Sequence, residues 1–518
     1  MSPSICRDDQ YGPVKVFARE NRISSFDPES NAYLLLEECL DAKYDKVGDY
    51  GIFTTKYFKV KGVPFGGGKF DSIWSVKNPR TTDPRFDLIF TTRTLNDYIN
   101  YLSAISVYND DLQNIFLKPF SVDVSTSEFP NAFYSDGSYS LTFGMVKNLC
   151  SFGGDGDAIL HEFDHLLTNT RHRDLARMLN DTEGLAMHET LSDVGPAIYF
   201  DDPQLAETTV ICLEVAKEEG PDIGLRNIAV VQPSVFYDEE GHSRTELYAP
   251  FLWFSYQELI GLMDGNKRAA QAAMTIMVHR MPEFLPSAPK REDFVRAFFH
   301  ALDDLSRRPE FAARYRFDTD KFTNRILRNI VNGTIILTEA EERYATTPYP
   351  TVSNINEELN KLSGGNVTLV EGYKNGNITF YQQMVEGIPV TGCGVRFVRT
   401  LSGIKMIDML SRETFHVADA PRVSPEAGWG AIVKSGKTYD ELAALLDRQL
   451  KARVLKKKDL NTLLMGMKGL PNEKMPQFET AFIPGKVNPQ YIYKPSGGVT
   501  FYVDSNDGSV SFARQSFF

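Results

Sequence analysis

Between Asp157 and His165 the chain reads D-A-I-L-H-E-F-D-H, and no other stretch limits its possible folds so tightly. As a helix, this segment puts His161 and His165 one turn apart on one face, with their Cβ atoms about 6 Å apart. Both imidazoles can then reach one zinc ion at about 2 Å. Glu162 projects from the neighbouring edge, where a carboxylate can take a proton from water at the metal. Local support for the helix is good. Gly153 and Gly154 precede it, Asp157 suits the N-cap, and Ile159, Phe163 and Leu166 form an apolar stripe. The competing reading of the same pentapeptide is a buried helix whose histidines only make hydrogen bonds.

A zinc ion that does chemistry takes three protein ligands and keeps one position open. The third is sought in Glu183-Gly-Leu-Ala-Met-His-Glu-Thr-Leu-Ser-Asp-Val194. In a helix over Leu185–Ile198, Met187, Leu191 and Val194 face a core, and Glu189 is free to act as ligand. Asp193, one turn later, can accept a hydrogen bond from a liganding imidazole and fix its tautomer. His188 and Glu183 stand as rival ligands. The reading without a metal makes Glu189 and Asp193 a solvated acidic face.

Around this motif the chain changes character in steps. At 518 residues it is too long for one ordinary core, so two to four domains are expected. Residues 1–50 carry one helical stretch, Ala32–Leu40. From 51 to 156 short β-like runs dominate: Asp87–Thr92 and Phe120–Ser125 read as strands, with a helix over Thr94–Tyr108 between them. From 157 to 335 helical periodicity takes over, with further helices over Tyr248–Met263, Lys267–Met281, Arg291–Leu305 and Asp320–Val331. Residues 336–356 are polar and proline-bearing and read as a linker. Beyond them, Gly376–Met384, Ile388–Val398 and Phe501–Val503 are strand-like and Thr438–Leu450 is an amphipathic helix. The expected class is α+β: a β-rich lobe, a helical lobe, a cleft between them, and small α+β modules at 357–420 and 421–518.

With 56 basic and 68 acidic side chains the net charge is −12, which argues against nucleic acid as the main partner. The five cysteines are scattered without C-x-x-C spacing, so neither a thiolate zinc site nor a disulfide framework is expected. No signal-peptide core and no membrane span is visible. The chain therefore reads as cytoplasmic, exported by an unconventional route, or given without its leader.

Together, H-E-x-x-H and the x-E-x-x-S-D segment resemble the thermolysin-like zinc peptidases (gluzincins) and their fungalysin relatives. That resemblance implies a two-lobed metalloendopeptidase with His161, His165 and Glu189 on zinc and Glu162 as catalytic base. Pro130-Asn-Ala-Phe-Tyr134 is similar to the family's edge-strand segment, which implies that Asn131 and the carbonyl of Ala132 bind substrate backbone. His242, in Gly241-His-Ser-Arg-Thr-Glu, resembles the histidine that stabilises the oxyanion. Arg226, in Gly-Leu-Arg-Asn, resembles the arginine that binds a substrate carbonyl. The family also brings calcium into view as a second cofactor, with no residue here matching a calcium site. Its members are mostly secreted.

The chain departs from the family in several places. The stretch from His165 to Glu189 is longer than usual, Arg171–Thr182 lacks the tyrosine that assists the oxyanion, and His188 stands where an asparagine is usual. Tyr381-Gln-Gln-Met-Val-Glu-Gly-Ile-Pro-Val390 resembles the fungalysin propeptide (FTP) module, and Tyr502-Val-Asp-Ser-Asn-Asp-Gly-Ser-Val510 resembles the end of a PepSY module. In the family such modules precede the catalytic domain; here they follow it. The expectation is a zymogen-like arrangement in which 357–518 inhibits or chaperones the catalytic unit in cis, released by cleavage in 336–356. Cys393, in Thr-Gly-Cys-Gly-Val, reads as a small core residue rather than a thiolate cap on the zinc. The rival classes are a zinc-binding pseudoenzyme or scaffold, and a structural protein without metal.

Overall fold

The computed structural model describes residues 11–17, 26–27, 32–33, 35–40, 42–64, 84–105, 119–126, 131–135, 138–146, 150–172, 175, 182–206, 209, 226–230, 243–411, 415, 423–437, 475–476, 478–483, 486, 488–493 and 499–514. Strands β1 (Tyr11–Phe17) and β2 (Leu35–Leu40) form an antiparallel pair. The helix expected over Ala32–Leu40 is therefore extended chain: Ala32–Tyr33 is also a strand, and backbone pairing overrides the local helical pattern.

A six-stranded mixed sheet follows. It contains β3 (Lys43–Val47), β4 (Tyr50–Thr54), β5 (Phe58–Gly62), β6 (Phe120–Val124), β7 (Ala132–Ser135) and β8 (Ser140–Phe143), in the order β3-β4-β5-β6-β8-β7. Strands β5, β6 and β8 run parallel, and β7 lies antiparallel at the edge. Buried Phe58, Val60, Phe120 and Val122 come from alternate positions of β5 and β6, as one buried face requires. Helix α1 (Pro84–Ile105) packs on that face. The strand expected over Asp87–Thr92 is part of this helix. Leu88, Ile89 and Phe90 are all buried, so their run shows no helical period, and the signal of a helix start was Pro84 at its first position.

The two motif helices are α2 (Gly156–Arg171) and α3 (Thr182–Phe200). The N-cap of α2 is Asp155, not Asp157: its Oδ1 accepts the amides of Asp157 and Ala158 at 3.1 and 3.3 Å. Ile159, Phe163, Leu166, Met187, Leu191 and Val194 fall on the buried sides of α2 and α3, as their spacing predicts. Each such side chain contributes about 1.5–3 kcal/mol on leaving water. Helices α4 (Ala249–Leu262), α5 (Lys267–Arg280), α6 (Arg291–Ser306), α7 (Pro309–Arg314) and α8 (Thr319–Val331) extend the same core. Four of them match the expected helices to within a residue or two.

The stretch 336–356, read as a linker, carries regular structure and three buried residues, Ala345, Tyr349 and Val352, along a largely exposed course. Helix α9 (Glu339–Ala345) starts at a capping box of Thr338 and Glu341. Tyr349 is buried, its amide donates to His300 Nε2 at 3.0 Å, and the guanidinium of Arg296 lies 3.8 Å above its ring. Next comes an antiparallel five-stranded sheet, β9 (Thr351–Val352), β10 (Val367–Asn375), β11 (Ile378–Val385), β12 (Ile388–Thr400) and β13 (Gly403–Met409), ordered β9-β13-β12-β11-β10. Helix α10 (Ile355–Leu362) follows β9. Cys393 is buried beside Val385, Val390 and Phe482. Helix α11 (Pro425–Lys437) and a four-stranded meander, β14 (Phe478–Ala481), β15 (Gln490–Tyr493), β16 (Val499–Asp504) and β17 (Val510–Arg514), complete the mixed α+β chain. The helix expected over Thr438–Leu450 lies outside the described residues. No described helix is long and apolar enough to cross a membrane.

Candidate metal centre

Helices α2 and α3 pack side by side and aim His161, His165 and Glu189 at one point. One donor atom from each lies within 4.8 Å of the others, and all three residues are buried. Glu189 Oε2 stands 3.2 Å from His161 Nε2 and 3.3 Å from His165 Nε2. Donors about 2.05 Å from a tetrahedral zinc lie about 3.3 Å from one another, so the donor set and its spacing suit that ion.

Each imidazole is oriented through its other nitrogen. His161 Nδ1 donates to Asp193 Oδ1 at 2.8 Å, which leaves Nε2 available to a metal. Arg226 Nη2 donates to the same Oδ1 at 2.7 Å. His165 Nδ1 meets His188 Nδ1 at 2.7 Å and Ser192 Oγ at 2.9 Å, and Ser192 donates to the carbonyl of His188. His188 is thus a neighbour of His165 and stands outside the group His161, His165 and Glu189. Glu183 lies away from the centre, bonded to Arg244 and Tyr248.

Electrostatics favours a cation at this point. Burial alone would lower the pKa of His161, but hydrogen bonds and charge from Asp193 and Glu189 outweigh it and raise the value to about 9. Asp193 is pulled below the usual carboxylate range despite its burial, chiefly by Arg226 and His161. Glu162 is raised by burial, against the nearby histidines, and accepts the amide of Tyr134. Its Oε1 has no hydrogen-bond partner among the described residues.

Behind α2, Asp164 is buried against α3, where a Cβ on Gly195 would collide with its carboxylate. The hydroxyl of Tyr98, from α1, donates to Asp164 at 3.2 Å. In front, edge strand β7 lies against α2, tied by Asn169 Nδ2 donating to Tyr134 Oη at 3.2 Å. Asn131 and Ala132, expected to bind substrate backbone, are buried at the start of that strand. Arg226, expected on a substrate carbonyl, is 7% exposed and holds Asp193. His242 lies outside the described residues.

Sequence reasoning missed Ser192 and the role of His188. Position 188 is one turn before Ser192, and both precede a ligand or its partner by one residue; that spacing was the available signal.

No protein-family model matches the chain, and no curated protein matches it. Among solved structures, the precursor of protealysin, a metalloproteinase from Serratia proteamaculans, matches with a TM-score of 0.32 and 14% identity, over 46% of this chain and 78% of that one. A likeness at that level does not fix the fold.

Proposed function

We propose that this chain is a zinc-dependent peptidase of the thermolysin-like type. The observation that carries the reading is the meeting of His161, His165 and Glu189 at spacings suited to one zinc ion, with Glu162 beside them. Zinc in that position supplies Lewis acidity toward a carbonyl and lowers the pKa of water. Asp193 and the His188–Ser192 pair hold the two imidazoles in the ligating tautomer and direction. Glu162 takes a proton from water and returns it to the leaving amine; its buried, weakly partnered carboxylate suits a group that must exchange protons. Strand β7 offers its outer edge to an extended peptide, with Asn131 and Ala132 at the start of the edge. His242 stabilises the oxyanion, and Arg226 acts through Asp193, which it braces.

The C-terminal region acts on this unit in cis. With residues 336–356 folded onto α6, support of the fold is favoured over release by cleavage there.

A second reading is favoured by one observation. Glu162 and His161 are each 1% exposed, the burial that a metal held for structure also has. A scaffold that holds zinc and cleaves nothing would have the same feature.

The test is hydrolysis of a peptide library by the full chain and by Glu162→Gln, with zinc content measured for both. The peptidase reading expects about one zinc per chain in each, and at least a hundredfold loss of rate in the variant, about the share of a general base. Zinc without cleavage in the parent supports the scaffold. A parent without zinc ends both.

A further inference from the structure

Arg396 sits in the middle of β12, in the C-terminal sheet, and is among the largest fully buried side chains of the protein. Its contacts lie mostly outside that sheet. Nη1 donates to the carbonyls of Pro282 and Leu285 at 3.2 and 2.6 Å. Nη2 donates to His172 Nδ1 at 3.0 Å and to Tyr373 Oη at 3.1 Å. Among the described residues no carboxylate forms an ion pair with it, so its charge is held by oriented carbonyls and an imidazole. A guanidinium buried in this way is stable only while all its acceptors stay in place.

His172 is the C-cap of α2, the helix that carries His161 and His165, and its amide closes onto the carbonyl of Thr168 at 2.8 Å. Its Nε2 donates to the carbonyl of Leu285 at 3.0 Å, which fixes Nδ1 as the acceptor for Arg396. The next orphan carbonyl of the helix end, that of Thr170, takes Asn375 Nδ2 at 2.9 Å. Asn375 ends β10 beside Gly376, whose φ of +51° suits the two-residue hairpin to β11. The end of the metal helix is thus capped by residues of the C-terminal sheet. Elsewhere the seam is continuous. Val398 and Ile407 belong to the same apolar core as Phe163 and Leu166, and the amide of Leu401 donates to Asp304 Oδ1 at 3.3 Å.

We propose that the five-stranded sheet is a permanent half of the metal-holding unit, and that Arg396 and Asn375 are positioning residues for His161 and His165, acting through the C-terminal end of α2. His165 lies about two turns from that end, close enough for fraying to reach it. The positioning part rests on reading His161, His165 and Glu189 as ligands. The sheet is then no detachable inhibitor: without it the end of α2 loses the hydrogen bonds from Asn375 and Arg396, and the core exposes an apolar face.

Two experiments on the full chain test this. In the first, a site-specific protease sequence is inserted at the exposed turn Asn332–Gly333, and the folded protein is nicked. The two pieces are expected to elute together from a sizing column and to melt as one unit. A 1–332 piece that elutes alone, with a cooperative melt and the parent's metal content, overturns permanence. The second measures zinc dissociation constants and cobalt(II) absorption spectra for Arg396→Met and Asn375→Asp. The aspartate variant keeps a turn-compatible residue before Gly376 but replaces the donor to Thr170 with an acceptor, so it remains informative if Arg396→Met does not fold. Expected are a rise in zinc dissociation constant of at least tenfold for Arg396→Met and threefold for Asn375→Asp, each with an altered cobalt spectrum. A folded variant with the parent's affinity and spectrum overturns that residue's positioning role. A parent that binds neither metal overturns the ligand reading, while the nicking result still decides permanence.

Discussion

Glu189 faces both histidines through a single oxygen, and Asp193 serves one histidine and one arginine through another. These shared atoms make the centre sensitive to charge more than to size. Asp193→Asn is nearly isosteric, yet it offers His161 and Arg226 a neutral acceptor. It is expected to weaken zinc affinity by about 10–100-fold, the usual cost of a lost partner to a ligating imidazole, as measured by competition with a chromophoric chelator. An unchanged affinity would mean that Asp193 does not orient His161. The shared face of His161 and His165 was legible because helical spacing puts them one turn apart, and likewise that of Glu189 and Asp193; that the two faces meet is a contact between helices, which the family resemblance suggested and no period specifies. The partners of His165 were not: a histidine against a histidine is a contact between two helices, and no period within either one specifies it. Arg226 was legible as a site residue, but its hold on Asp193 depends on a short strand pairing, Leu205 with Arg226, that no local pattern announces.

At the scale of elements, α2 is fixed by the close approach of α3. Gly195 lets α3 come up against Asp164, so Gly195→Ala forces a buried, hydrogen-bonded carboxylate to move. A loss of about 1–3 kcal/mol is expected, read as a lowered melting temperature, with zinc binding impaired as α2 shifts. The segment from Ala345 to Val352 hangs on His300, whose pKa burial lowers to about 4, with Arg296 and Lys405 adding to the shift. The unfolded chain takes up a proton near pH 6.5 that the folded one refuses. The stability from neutral His300 is therefore complete above pH 6.5 and is lost as the pH falls toward 4, at about 1.4 kcal/mol per pH unit. His300→Gln should destabilise the protein at pH 7.5, by loss of the ring stack on Tyr349, yet narrow the gap to the parent at pH 4.5 in thermal melts. A gap that stays constant with pH would rule this out. Two stretches show what a sequence pattern leaves out. Asp87–Thr92 is buried all round, and residues 336–356 are polar yet held by Arg296 and His300 from α6, a helix well upstream. Composition reports solvent preference, and here tertiary partners decide.

Across the whole molecule, metal and fold are coupled if the buried centre binds zinc only in the native state. Removing zinc with a zinc-selective chelator should then lower the melting temperature, and restoring it in excess over the dissociation constant should return it, by about 2.7 kcal/mol at a hundredfold excess. A melt indifferent to the chelator would favour a protein without metal. The two helices that carry His161, His165 and Glu189 follow one another in sequence, but the donor to Thr170 arrives from Asn375, a separation of 205 residues. Synthesis runs from the N-terminus at about 5–20 residues per second, so roughly 10–40 s pass between the emergence of the metal helix and that of the residues that finish its end. During that interval the nascent chain carries its histidines on a helix whose Thr170 carbonyl still lacks its donor. If the sheet finishes the metal-holding unit as proposed, the order of the segments along the chain acts as a clock: the centre is completed only when most of the polypeptide has left the ribosome, and a chain broken off early never completes it.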